Sequence, residues 1–155
     1  MTAKLRIVCN TGPLIALGIL NLEHVLADLF APVIPGRVLD ELRAGDESWH
    51  FPVVHELADA NPDPLLISLL DTGEAAVIAV ALQQNIPLVL MDEKKGRKIA
   101  RRIYHLKTIG TARLLVEARR QSLVPPLPGI FSTLKSASYW IGDEIVGWAV
   151  HEAGD

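Results

Sequence analysis

Short apolar runs along the chain have the length and composition of buried strands. They cover residues 5–9, 32–35 and 87–91, and a further short strand is predicted over 106–109. A continuous apolar run is typical of a strand that is buried on both faces, as in a parallel sheet. The pattern therefore predicts four strands.

Segments with helical spacing of apolar residues separate these runs. Residues 75–82 are apolar all round, which predicts a buried helix, and the pattern also predicts a helix over 53–59 and an extended segment over 65–69. The other predicted helices cover 14–30 with a break near Asn21, 37–43, 94–103, 111–120, 130–137 and 142–153. Alternating strands and helices predict one α/β domain over 1–155, with three layers in which helices flank a central, mostly parallel sheet.

The composition of the chain limits which disulfide, metal and membrane features this domain can have. The 155 residues include one cysteine, Cys9, so an internal disulfide and a cysteine-based zinc site are excluded. Residues 1–5 lack the apolar stretch of a signal peptide, and no run approaches the ~18 apolar residues that span a membrane. We expect a cytoplasmic protein with no membrane partner.

Charge is distributed unevenly. Residues 1–93 carry 4 basic and 13 acidic side chains, whereas residues 94–120 carry 10 basic and 1 acidic. An acidic part beside a basic part would suit a metal site next to a phosphate-binding surface. Ordinary solvated helix faces are the alternative explanation.

Two polar residues follow predicted strands. Asn10 comes after the first strand and Asp92 after the strand at 87–91. Ligands of open α/β sheets bind beyond the carboxyl ends of the strands, so the two side chains would be neighbours if these strands pair. A turn role for Asn10 and an N-cap role for Asp92 are the alternatives.

Two glutamates lie beside apolar helix faces. Glu41 shares a face with Val38 and Leu42, and a carboxylate there needs a partner, either a cation or a salt bridge. Glu74 opens the all-apolar helix, where a capping box with Asp71 is the alternative to a site near the interior. Carboxylates converging at strand ends would suit Mg²⁺, and two such ions can activate water against a phosphodiester.

Taken together, five stretches resemble the PIN-domain family of VapC-like ribonuclease toxins, and in particular a prokaryotic PIN-like subgroup. They are IVCNTGPLIAL at 7–17, VIPGRVLDEL at 33–42, DTGEA at 71–75, LVLMDEKKGR at 88–97 and IGT at 109–111. Their order and spacing cover nearly the whole chain.

The resemblance implies a site and an activity. The four acidic positions of the family fall on Asn10, Glu41, Glu74 and Asp92, with Glu93 as an auxiliary. It implies that Glu41, Glu74 and Asp92 ligate Mg²⁺ or Mn²⁺ or orient the attacking water. It also implies cleavage of RNA, a homodimer, and inhibition by a small cognate antitoxin protein.

Two positions depart from the family pattern. Asn10 stands where the family usually has Asp, and an amide oxygen binds Mg²⁺ more weakly than a carboxylate does. Gly12 stands where the family usually has a small hydroxyl residue, which Thr11 replaces in part. We therefore expect weak metal binding and low activity.

Candidate substrate contacts lie in the basic segment. A helix that begins beside Asp92 would place its cations against phosphates, with Arg97 paired to a site carboxylate. Together with Thr11, the predicted substrate-binding residues are Lys94, Lys95, Arg97, Lys98 and Arg101, and Arg102 lies on the same polar side.

The C-terminal region is rich in aromatic residues. It holds four of the eight in the chain, at Phe131, Tyr139, Trp140 and Trp148. The sequence predicts a partner surface here, with packing onto the core as the alternative.

Three functions compete. A metal-dependent endoribonuclease, the toxin of a toxin–antitoxin pair, agrees best with the resemblance. A non-catalytic PIN-like module that binds RNA or an antitoxin is the alternative that Asn10 leaves open. A phosphoacceptor receiver domain would need an acidic pair after its first strand, which Asn10 and Thr11 do not supply.

Overall fold

A computed structural model describes residues 3–155. Met1 and Thr2, the first residues of the predicted 1–155 domain and of the segment that lacks a signal-peptide pattern, lie outside the described residues. The strands of the described part are β1 (Arg6–Cys9), β2 (Ala31–Pro35), β3 (Glu56–Ala58), β4 (Leu88–Leu90) and β5 (Lys107–Ile109). They form one sheet in the order β3-β2-β1-β4-β5, and every pairing in it is parallel.

Helices connect and cover these strands. They are α1 (Thr11–Leu20), α2 (Glu23–Leu29), α3 (Gly36–Gly45), α4 (Pro64–Leu69), α5 (Thr72–Gln83), α6 (Lys94–Arg102), α7 (Thr111–Arg120), α8 (Leu127–Ser136) and α9 (Asp143–Glu152). The predicted break near Asn21 is confirmed, because Asn21 ends α1 in the left-handed conformation at φ 54°. Within residues 3–155 no single helix is long and apolar enough to cross a membrane, and α1 with α2 passes that test only as a pair bent by 117°.

Two apolar clusters hold the layers together. In the first, the buried helix α5 packs against β1, β2 and β4. In the second, residues of α1, α7, α8 and α9 pack together. The predicted three-layer α/β arrangement is thus confirmed, and Cys9 lies fully buried in β1, where burial raises the pKa of its thiol to about 12.

Two predicted elements were wrong. The segment predicted as a helix over 53–59 contains β3, which pairs with β2 at the edge of the sheet. The segment predicted as extended over 65–69 is α4, because the Asp63 side chain accepts a hydrogen bond from the Leu66 N–H at 2.9 Å and Pro64 occupies the first turn. Ile103, the last residue of the helix predicted over 94–103, follows α6 and is 45% exposed.

The sheet order fixes where a site can form. From β1 the chain builds outward through β2 to β3, and then returns to the other side of β1 for β4 and β5. The strand order therefore reverses between β1 and β4, which pair through Cys9 and Leu90. In open α/β sheets the crevice at the carboxyl ends of such a strand pair is the usual place for a ligand.

Candidate active site

Asn10 and Asp92 lie at this reversal point, as their places in the sequence predicted. The Asn10 N–H donates to the Leu90 carbonyl at 2.9 Å, which carries the β1–β4 pairing to the strand end. Asn10 is 7% exposed and precedes α1, but its side chain makes no capping bond to that helix. The side-chain amide of Asn10 therefore does not cap α1.

Asp92 is held by three donors. Its Oδ1 accepts from the Thr111 N–H and its Oδ2 from the Thr111 hydroxyl, both at 2.7 Å, and Oδ2 also accepts from the Tyr139 hydroxyl. The alternative of an N-cap for the helix at 94–103 is wrong, since Glu93 holds that position, without a side-chain bond. Asp92 instead accepts hydrogen bonds from the first residue of α7.

Gly110 makes this contact possible. A Cβ at Gly110 would lie 2.8 Å from Oδ1 of Asp92 and 3.5 Å from Nη1 of Arg97. The missing side chain lets the carboxylate approach the start of α7. Burial, and then the charge of Asp92, raises the pKa of Tyr139, so that its phenol stays a hydrogen-bond donor across the neutral range.

Glu41 lies on the exposed side of α3 and is fixed by hydroxyl groups. The Thr11 hydroxyl donates to its Oε2 at 2.7 Å and the Thr72 hydroxyl lies 3.5 Å from its Oε1. The salt-bridge alternative is wrong, because Glu41 forms no ion pair with any residue that the structure describes. Gly73 provides the space, since a Cβ there would lie 2.5 Å from Oε1.

Glu74 is buried, 7% exposed, at the start of α5. The Asp71 side chain accepts from the Glu74 N–H at 2.8 Å, so Asp71 caps the helix as the capping-box alternative proposed. The reciprocal bond of that motif is missing, since Oε2 of Glu74 is buried without a hydrogen-bond partner. The carboxyl group points toward Gly96 of α6, where a Cβ would collide with it.

This environment disfavours the ionised form of Glu74. Burial, then the hydrogen bond and charge of Asp71, then the charges of Glu93 and Glu41, raise its pKa to about 8. Repulsion from the neighbouring carboxylates therefore contributes to the raised pKa, but burial is the larger cause.

The N-terminus of α1 joins the two halves of the site. Thr11 contacts Glu41, and a Cβ at the next residue, Gly12, would lie 3.1 Å from the Tyr139 hydroxyl and 3.9 Å from Oδ2 of Asp92. One half therefore holds Glu41 and Glu74, with Glu93 near enough to influence Glu74, and the other holds Asp92. Asn10 lies between them, directly before Thr11.

The spacing of these carboxylates limits how the site can bind a divalent cation. No three acidic, histidine or cysteine side chains within residues 3–155 lie close enough together to hold one ion, so the compact four-residue cluster expected from the sequence does not form. Mg²⁺, however, commonly binds one or two carboxylates and keeps its waters. Oε2 of Glu74 has no hydrogen-bond partner, and the charges of Asp71, Glu93 and Glu41 act on this carboxyl group. These properties fit such a hydrated ion.

The predicted basic helix is observed as α6, and its cations lack partners. Lys94, Lys95, Lys98, Arg101 and Arg102 are exposed. No ion pair in the described part of the chain involves any of them or Arg97, whereas Arg113, Arg119 and Arg120 of α7 are all paired. Arg97 does not pair with a site carboxylate as expected, and its Nε is buried without a hydrogen-bond partner.

Two residues of the site escaped the sequence analysis. Thr111 had a usable signal, because a hydroxyl residue two positions after a strand end lies at the same edge of the sheet as Asp92. Tyr139 had none, since it lies 47 positions from Asp92 and reaches it only through the packing of the helices.

Comparison with known proteins places this geometry in a family. The DUF3368 family model, described as a PIN domain, matches residues 6–155. Searches among curated proteins and among solved structures returned no match. The match covers nearly the whole chain, including every strand and the candidate active site, and agrees with the parallel sheet. The chain therefore belongs to the PIN-domain family.

Proposed function

We propose that this protein is a metal-dependent endoribonuclease that cleaves RNA phosphodiester bonds. PIN domains are generally nucleases, so a nuclease-type, RNA-related function follows from the family. The observation that carries the proposal is Glu74, a buried carboxyl with an unpartnered oxygen and a pKa raised to about 8 among Asp71, Glu93 and Glu41. Strongly perturbed pKa values cluster at functional sites, where burial and neighbouring charges are arranged around reacting groups.

The side chains supply position and charge. In the metal-free protein the pKa of Glu74 is raised to about 8, and a bound cation would favour its ionised form. Asp92 is held by Thr111 and Tyr139, and Glu41 by Thr11, so both carboxylates keep fixed directions. A hydrated Mg²⁺ or Mn²⁺ beside Glu74, with Glu41, Asp92, Asn10 and Glu93 as the other residues of the site, would polarise the phosphodiester and lower the pKa of water.

Helix α6 supplies the surface for RNA. It begins directly after Asp92 and Glu93, and its unpaired cations are available for phosphates. Lys94, Lys95, Arg97, Lys98 and Arg101 are the proposed contacts, with Thr11 at the site itself.

Asn10 sets the expected level of activity. An amide brings no charge, so a metal ion would be held more weakly than with an aspartate at this position. Activity should be low and higher with Mn²⁺ than with Mg²⁺, since Mn²⁺ forms the tighter complexes with a given ligand set.

A toxin role is part of the proposal. By its resemblance to VapC-like toxins, the protein would act in the cytoplasm as a homodimer and be inhibited by a small cognate antitoxin. A short antitoxin-like reading frame beside its gene, and a complex of the two products on co-expression, would support this role. Light scattering of the isolated protein tests the dimer.

A non-catalytic RNA- or antitoxin-binding module is the second candidate. It is favoured by the neutral Asn10 and by the hydrogen bonds that already engage both oxygens of Asp92. Such a module would bind RNA without turnover.

An RNA-cleavage assay separates the two candidates. The wild type should cut RNA with Mn²⁺ or Mg²⁺, and Asp92→Asn and Glu41→Gln should reduce the rate at least about 100-fold, as losing a charge-stabilising group does. Asp40→Asn is the matched control, because Asp40 is exposed on the same helix as Glu41 and forms no hydrogen bond or ion pair with the described residues. Equal rates for Glu41→Gln and Asp40→Asn would contradict the assigned site.

A further inference from the structure

A cavity of about 620 Å³ opens beside Asp92, beyond the carboxyl end of β5. It lies between α7, α9 and the segment that joins α8 to α9. Its lining includes two cationic and two aromatic side chains, Arg97, Arg113, Trp140 and Trp148. Its volume is within the roughly 300–1,000 Å³ of small-ligand pockets.

The aromatic wall is open to solvent. Trp140 is 72% exposed and Trp148 is 39% exposed, and neither belongs to the two apolar clusters of the core. The guanidinium carbon of Arg113 lies 6.0 Å from the centre of the Trp148 ring, which orders that ring at the mouth. Two accessible indoles offer flat faces for stacking.

One cationic side chain in the cavity wall has no partner. Arg97 lines the cavity, and its side chain forms no hydrogen bond or ion pair with the described residues. Its guanidinium can therefore donate to a ligand that has a polar or anionic edge.

The charges around the cavity favour an anion-bearing ligand. The unpaired cations of α6 continue outward from Arg97, and Asp92 is the one carboxylate among the described residues that line the cavity. Both oxygens of Asp92 are occupied by Thr111 and Tyr139. A planar group with a polar edge, attached to phosphates, matches this arrangement.

We propose that the cavity binds one unpaired nucleobase of a single-stranded RNA, an inference that rests on the proposed function. The base stacks on Trp140 and presents its polar edge to the Arg97 guanidinium, while the adjoining phosphates lie along α6. A base inside a duplex cannot enter, so the site selects single-stranded segments next to the bond that is cut.

Binding of a labelled short oligouridine, measured by fluorescence anisotropy in EDTA, tests the site without cleavage. Trp140→Ala should weaken binding roughly tenfold, the effect of removing one stacked base–aromatic contact, while Trp140→Phe keeps most of the affinity. Val54→Ala is the control, because Val54 is 91% exposed and lies outside the cavity lining. In a second series, oligouridines that lack one base should bind the wild type more weakly than intact oligouridine does. This difference in affinity should be no larger in Trp140→Ala.

Unchanged affinity of Trp140→Ala would overturn the proposal, as would abasic RNA that binds as tightly as intact RNA, or no RNA binding at all. Loss of a homodimer or of a protein complex with RNA affinity intact would make the surface a protein interface instead. The two hypotheses fail in different ways. RNA that binds through Trp140 but is never cleaved would contradict the nuclease function and support this binding site. RNA that is cleaved at the same rate by Trp140→Ala would support the nuclease function and contradict this binding site.

Discussion

The hydroxyl of Tyr139 donates a hydrogen bond to Oδ2 of Asp92, and so ties the segment after α8 to the end of β4. The same oxygen accepts from the Thr111 hydroxyl at 2.7 Å. The direction of the Asp92 carboxylate is thus fixed from two separate elements, which is the kind of support that a preorganised site needs.

Tyr139→Phe removes one of these supports without changing the packing of the ring. We expect it to lower the free energy of unfolding by about 1–3 kcal/mol, the range for hydrogen bonds to charged groups. Denaturation by urea measures the change. Tyr104→Phe is the matched control: its hydroxyl contacts Asp63 at 3.2 Å on the surface, and the loss there should stay below about 0.5 kcal/mol. Equal losses of unfolding free energy in the two variants would mean that the Tyr139–Asp92 hydrogen bond stabilises the fold no more than the surface contact does.

Glu74 should make the protein less stable as the pH rises. Its pKa is about 8 in the folded state against 4.5 for a free carboxyl, so between these values the folded chain holds a proton that the unfolded chain has lost. The free energy of unfolding therefore falls with rising pH, by roughly 1–3 kcal/mol between about pH 5 and pH 8. Glu74→Gln should flatten this slope, and the exposed Glu47→Gln should not. A wild-type slope that survives Glu74→Gln would refute the assignment.

Gly96 makes room for the Glu74 carboxyl. A Cβ at Gly96 would collide with Oε2 of Glu74 and lie 2.6 Å from Sδ of Met91, so Gly96→Ala should destabilise the fold although alanine favours helices. Gly147→Ala on α9, where a new Cβ meets nothing within 4 Å, should stabilise it by about 0.5–1 kcal/mol. Thermal melting compares the two variants. A gain in both would show that the space at Gly96 is not needed.

The unpaired cations of α6 should govern the salt dependence of RNA binding. Lys94→Ala and Lys98→Ala should each reduce the slope of log affinity against log salt by roughly 0.7, the value for one phosphate contact on a single strand. Lys135→Ala, on the exposed face of α8, should leave the slope unchanged. An affinity that is flat from low to high salt would exclude the α6 surface as the binding site.

Most of the fold follows from local pattern. Apolar runs predicted β1, β2 and β4, because strands buried on both faces must be apolar throughout. β5, at the other edge of the sheet, was predicted as a short strand although Lys107 is exposed. β3 was missed because it lies at the edge, with Leu57 56% exposed, so its pattern carries little burial signal. α4 was missed although Asp63 and Pro64 form a recognisable helix start.

The candidate site was predictable only in part. Strand ends and helix faces place Asn10, Glu41, Glu74 and Asp92 around one crevice, but spacing along the chain does not determine side-chain directions. Glu41 accepts a hydrogen bond from Thr11, whereas Asp92 accepts hydrogen bonds from Thr111 and Tyr139. Tertiary packing determines these separate directions of the two carboxylates.

The most direct test of the nuclease is cleavage of single-stranded RNA by the wild type and by Asn10→Asp, each with Mg²⁺ and with Mn²⁺. An aspartate at position 10 restores a charge between Glu41 and Asp92 and should strengthen metal binding. We predict slow cleavage by the wild type, faster with Mn²⁺, and at least about tenfold faster cleavage by Asn10→Asp. No cleavage by either protein, across several RNAs and with both metals, would contradict the nuclease and leave the binding module as the better account.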